Sequence, residues 1–175
     1  MPRYAAFLRG VSPMNLRMPT LKAALESAGF TDVKTLLSSG NVVFSARRAA
    51  DSSIEHKVEA ALEQEAGKKF GAIVRSIEDL QQLIDADPYK SFGLSTKAKR
   101  VVTFLRKAPA SKLKLPPEQD GARILRVRGR ELLSAYERSD KGPVFMALIE
   151  KTVGKALLTT RTWDTVLKVA KAGAG

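Results

Sequence analysis

Leu36-Leu37-Ser38-Ser39-Gly40-Asn41-Val42-Val43-Phe44 is the stretch whose reading decides the fold. Two apolar runs flank a Ser-Ser-Gly-Asn turn, which is the pattern of a β-hairpin. Upstream, residues 4–9 read as a buried strand ending at Gly10, followed by a loop with Pro13 and Asn15. Pro19 suits the first turn of a helix, Leu21, Ala24, Leu25 and Ala28 give it one apolar face, and Gly29 stops it. Downstream, Ser52 with Glu55 three residues later forms a capping-box pattern. Ile54, Val58, Ala61, Leu62 and Ala66 make the buried stripe of the helix that follows, which ends near Gly67 or Phe70. Residues 72–75 are a short strand, Ser76 caps a further helix with Leu80, Leu83 and Ile84 inward, and Pro88 ends it.

The first half therefore reads β-α-β-β-α-β plus a helix, the ferredoxin-like plan. Residues 91–99 are polar, as in a linker. The order then recurs. Residues 101–106 form a strand whose Thr-Phe-Leu-Arg echoes Ala6-Phe7-Leu8-Arg9. Pro109, Pro116 and Pro117 limit any helix in the next crossover to one or two turns. Residues 124–128 and 131–136 form a second hairpin around Gly129, and Pro143 opens a helix carrying Val144, Leu148, Ile149 and Val153. Residues 156–161 are the last strand, and Thr162 caps a closing helix that frays over residues 172–175. Phe7-Leu8-Arg9 matches Phe104-Leu105-Arg106, Gly40 matches Gly129, and Arg75-Ser76 matches Arg161-Thr162. The fold class is thus α+β: two ferredoxin-like (βαββαβ) subdomains in tandem, each followed by an extra helix. The divisions are 1–90, a linker at 91–99, and 100–175.

The 175 residues suffice for one domain or two small ones. No apolar run spans a bilayer, and the chain enters a strand at once with no signal peptide. Cysteine is absent, which removes disulfides, thiolate catalysis and cysteine-held metal. These features point to the cytoplasm. Net charge is +12, and residues 97–138 hold twelve basic side chains against four acidic ones. Clustered Lys and Arg gain affinity for a polyanion by releasing counterions from its phosphates.

Catalytic chemistry finds little purchase. The one histidine, His56, falls off the Ile54/Val58/Leu62 stripe and faces water. One His without Cys makes no transition-metal cluster, and no phosphate-cradling glycine loop or dinucleotide fingerprint is present. The sequence therefore gives no catalytic residue, metal site or cofactor. Two sets of polar residues remain. The loop after the first strand feeds a helix N-terminus, where Arg9 and Asn15 can meet an anion, with Asn41 from the hairpin. Arg161 and Trp163 occupy the equivalent exit in the second half. These five are candidate ligand contacts. Arg126 and Arg128 alternate with Leu125 and Val127, which puts both arginines opposite the packed face, with Arg130 just past the turn. Together with Arg106 and Lys107 they are candidate polyanion contacts. The first hairpin lacks the paired aromatics that stack bases and the second offers only Tyr136, so binding would be to backbone phosphate.

Tyr4-Ala5-Ala6-Phe7-Leu8-Arg9-Gly10, Leu21-Lys22-Ala23-Ala24-Leu25-Glu26, Ala28-Gly29-Phe30-Thr31-Asp32-Val33 and Ser39-Gly40-Asn41-Val42-Val43-Phe44 closely resemble the bacterial family called domain of unknown function 1697. The closing Thr159-Thr160-Arg161-Thr162-Trp163-Asp164-Thr165-Val166-Leu167-Lys168 resembles that family's last motif. The resemblance implies a soluble bacterial protein of two α+β subdomains, and it implies no reaction. The expected function is a non-enzymatic binding protein whose basic second half meets nucleic acid or another polyanion. The alternative is an enzyme or small-molecule binder that takes an anionic ligand in a cleft between subdomains.

Overall fold

The computed structural model describes residues 1–37, 40–141, 144–154 and 156–175. The centre of the first hairpin turn (Ser38 and Ser39) and the Pro143 helix opening lie outside the described residues. The described chain runs β1 (Arg3–Arg9), α1 (Met18–Ser27), β2 (Thr31–Leu36), β3 (Asn41–Ser45), α2 (Asp51–Ala66), β4 (Gly71–Ser76) and α3 (Ile77–Asp85). It continues with β5 (Lys99–Leu105), β6 (Ala122–Arg128), β7 (Glu131–Tyr136), α4 (Val144–Val153), β8 (Leu158–Thr162) and α5 (Trp163–Ala174). This is an α+β protein with two four-stranded antiparallel sheets, ordered β2-β3-β1-β4 and β6-β7-β5-β8. Two compact units result: residues 1–85 with 167–175, and residues 86–166.

In the first unit, alternate strand residues Tyr4, Ala6, Leu8, Val42, Phe44, Ala72 and Val74 face one way. Leu21, Ala24 and Leu25 of α1 and Ile54, Val58 and Leu62 of α2 pack onto them. The 3.6-residue spacing of the α1 and α2 stripes is what makes this face. Ala5, Phe7, Val43 and Ile73, which alternate with these, are buried as well, and α3 lies against β1 and β4.

The capping box expected at Ser52 and Glu55 does not form. Helix α2 begins two residues earlier, at Asp51 with Ala50 in the cap position, so Ser52 is inside the helix. Glu55 is 1% exposed, and its Oε2 accepts the Val74 N–H at 2.9 Å. Glu59 accepts the Ala72 N–H at 3.1 Å. Strand β4 pairs with β1 on one side only, and the α2 carboxylates take N–H groups on its other side. Three other helix signals hold: Ser76 Oγ accepts from Asp79 N–H at 3.0 Å, Thr162 Oγ1 accepts from Thr165 N–H at 3.4 Å, and Gly67 ends α2 in the left-handed region.

The closing segment does not fray as expected. Helix α5 continues to Ala174, the Gly173 carbonyl accepts Arg3 Nε–H at 3.0 Å, and Gly173 lies against Ile77. A Cβ at Gly173 would fall 2.3 Å from Ile77 Cδ1, so the missing side chain lets the helix backbone come this close.

The second unit has the same strand order but lacks a helix between its first two strands: residues 106–121 cross without one. Up to β8 it reads β-β-β-α-β rather than the expected β-α-β-β-α-β, and most of the helix that follows, α5, belongs to the first unit. Prolines at 109, 116 and 117 remove the N–H donors a helix would need. Its core is Val101, Ala122, Ile124, Leu132, Phe145, Leu148 and Ile149, with Leu115 of the crossover packed at its margin.

Backbone register corrects one landmark. The Leu8 N–H donates to the Gly40 carbonyl at 2.8 Å, and the Leu105 N–H donates to the Arg130 carbonyl at the same distance. Phe7 faces Asn41, and Phe104 faces Glu131. The positions equivalent to Gly40 and Asn41 are therefore Arg130 and Glu131, one residue beyond the Gly129 match. Arg75 opposite Ala5 and Arg161 opposite Val102 do correspond.

Candidate functional site

Strand β6 lies at the edge of the second sheet and pairs only with β7. Its register shifts between Ile124 and Arg126, which leaves Leu125 as a bulge. Ala122 and Ile124 enter the core before the bulge, and Val127 packs on it afterwards. On the opposite face lie Arg123, Arg126 and Arg128, across from Ala135, Leu133 and Glu131. All three arginines are exposed. The guanidinium carbons of Arg123 and Arg126 sit 5.7 and 5.4 Å from the centre of the Phe92 ring. The Phe92 ring thus steadies both cations by cation–π attraction. Arg128 is on the face expected for it.

The other predicted basic residues divide between two places. Arg130 is half-buried in the hairpin turn, where its carbonyl fixes β5. Arg106 and Lys107 follow β5 and border a cavity of about 480 Å³. Arg126 borders a second cavity, of about 740 Å³, on the other side of residues 108–113.

Within the first unit, Arg9, Asn15 and Asn41 are brought to one end of the sheet. Arg9 is exposed at the last pair of β1 with β4. Asn15 Nδ2 donates to the Gly10 carbonyl at 2.7 Å, and its Oδ1 accepts the Ser12 N–H at 2.8 Å. The Asn15 side chain therefore closes the loop upon itself. Asn41 is buried, and its Nδ2 donates to the Leu36 carbonyl at 3.2 Å. Gly40, at φ +85°, lies so close to Leu8 and Val11 that a Cβ would meet each at 3.0 Å. Loop and hairpin turn are packed together here, and the polar residues hold the packing.

Arg161 and Trp163 belong to the second unit. Arg161 is half-buried, and it donates to Thr159 Oγ1 at 2.6 Å and the Thr160 carbonyl at 2.9 Å. Burial lowers its pKa to about 10, so it stays charged at neutral pH. Trp163 packs edge-on against Tyr89, with ring centres 5.2 Å apart. The Tyr89 hydroxyl donates to the Val101 carbonyl at 2.6 Å. His56 is 75% exposed beside Glu59, as its place off the apolar stripe predicted.

Sequence reasoning missed Phe92 and Arg123, which complete the arginine cluster. Phe92 sits in a 3-10 turn (Lys90–Phe92), inside what reads as a polar linker. A lone aromatic in a polar segment was the available signal. It also missed Arg75, 1% exposed in β4, which donates to the Val74 carbonyl at 2.9 Å.

The sequence matches the model of a family described as protein of unknown function DUF1697 over residues 1–132. The chain belongs to the DUF1697 family. No curated protein matches it. Among solved structures, this DUF1697 protein is similar to the conserved bacterial protein SP0830 from Streptococcus pneumoniae. The two share 18% identity with a TM-score of 0.64, covering 98% of each chain, so the likeness is one of fold. No helix among the described residues is long and apolar enough to cross a membrane.

Proposed function

We propose that this DUF1697 protein is a binding protein whose second unit holds the phosphate backbone of a nucleic acid along β6. The observation that carries the reading is the pair Arg123 and Arg126 over Phe92, in line with Arg128 on one face of an edge strand. Successive arginines on a strand present a row of planar donors that suit phosphate oxygens. The side chains opposite them, Ala135, Leu133 and Glu131, are not aromatic, and the Phe92 ring already lies against two of the guanidinium groups. The reading is therefore one of backbone contact without base selection. The matching strand orders, the paired Leu8 and Leu105 hydrogen bonds and the Arg75/Arg161 correspondence support reading both units as ferredoxin-like repeats, the second having lost its first helix.

The test is the salt dependence of binding to a fluorescent RNA oligomer and a DNA duplex. Affinity should fall steeply with salt, and Arg126→Gln should reduce the slope of log affinity against log salt by about 1 without altering the urea midpoint. Absence of binding at low salt, or a slope unchanged by the Arg123, Arg126 and Arg128 variants together, overturns the proposal.

A further inference from the structure

The segment 106–113 does not lie flush on the unit beneath it. It leaves a cavity of about 480 Å³, within the range of small-molecule sites. The walls are Leu105 at the end of β5, Leu113 from the segment itself, Val153 at the end of α4 and Leu157 just before β8. The Arg106 N–H donates to the Leu157 carbonyl at 3.1 Å, which fixes the floor. Among the described lining residues the charged groups are Arg106 and Lys107, and none is a carboxylate. The cavity beyond Leu113 repeats this chemistry, with Leu115, Leu125 and Val127 as walls and Lys112 and Arg126 as charges.

We propose that the cavity under residues 106–113 binds a small amphiphilic carboxylate, an apolar chain carrying one anionic head. The walls decide the body of the ligand. A sugar or nucleotide would lose water contacts against leucine and valine with nothing to replace them. The rim decides the head. The exposed Lys107 ammonium at the rim attracts an anion, repels a cation and does nothing for a neutral oil. This site is separate from the arginine row on β6, and neither proposal depends on the other.

The test uses decanoate below its micellar concentration, with 1-decanol and a decyltrimethylammonium salt as neutral and cationic counterparts. Binding is read on the full chain by backbone amide shifts. Decanoate should shift residues 105–111, Leu113, Val153, Ala156 and Leu157, and more strongly than either counterpart. Lys107 is exposed, so Lys107→Gln should keep the fold and weaken decanoate about threefold while leaving decanol unchanged. Ala156 is also exposed at the rim, and Ala156→Trp should block both ligands. Decanoate without shifts in these residues, decanol binding as tightly as decanoate, or a cationic chain binding best overturns the proposal.

Discussion

Residues 10–30 and residues 106–121 make the same connection in their two sheets, from the first strand to the outer strand of the hairpin. The first builds a helix with three buried apolar residues, Leu21, Ala24 and Leu25, and seals its face of the sheet. The second is a proline-rich segment that packs Leu115 at the core margin and leaves a cavity on each side of residues 108–113. The element that closes a core in one unit leaves binding space in the other. Backbone hydrogen bonding explains the difference: a helix satisfies its own donors and lies flat, whereas prolines hold the chain extended and lifted.

The largest effect should separate the two connections directly. Leu25→Ala should cost about 2–5 kcal/mol, because Leu25 is fully buried, whereas Leu113→Ala at a half-buried site should cost under about 1. Urea unfolding followed by circular dichroism, and by Trp163 fluorescence for the second unit, measures both. Equal costs would make residues 106–113 a core element and end the contrast.

Next comes the polar side of the helical cover. Glu55→Ala should cost about 1.5–3 kcal/mol, since a buried backbone N–H loses its charged acceptor. Hydrogen exchange at the Val74 amide should accelerate, and an unchanged Val74 rate would show that Glu55 merely packs. The two hairpin turns sharpen the comparison further. Gly40→Ala should cost about 2 kcal/mol or more, because strain at positive φ adds to contacts at 3.0 Å. Gly129→Ala, at φ +59° in open space, should cost about 1, and equal losses would remove crowding from the account.

The smallest effect concerns Tyr89. Burial pushes its phenol above the usual value near 10, with Arg100 pulling weakly the other way. The unfolded chain therefore gives up this proton first. The stability tied to Tyr89 is complete below about pH 10 and declines as pH rises beyond it. Tyr89→Phe should cost about 1 kcal/mol at pH 8 and flatten the decline between pH 10 and 11. A wild-type urea midpoint that is level across that interval would contradict this.

Much of the fold was legible because it is periodic. Alternation and the Gly40 turn located the first hairpin, and spacings of three and four located α1 and α2. What escaped was decided by tertiary contact. Ser52 and Glu55 fit a capping pattern, yet Glu55 is drawn to N–H groups of β4, a strand remote in sequence. The Gly129 match failed by one residue because register follows the strand bonds rather than the glycine. Residues 172–175 looked frayed because chain ends usually are, although the missing side chain of Gly173 permits a close approach to Ile77. Of the candidate site, Arg126 and Arg128 were legible from alternation alone. The bulge at Leu125, which places Arg123 with them, and the Phe92 ring beneath came only with coordinates.

The carboxylates of Glu55 and Glu59 also bear on how these molecules behave in a crowd. A sheet border with open N–H groups is a template on which another chain can add a strand, the first step toward fibrils. On β4 the Ala72 and Val74 donors are already engaged by α2. Two glutamates thus serve as a stopper against strand addition at that border, and their loss would show first as concentration-dependent aggregation.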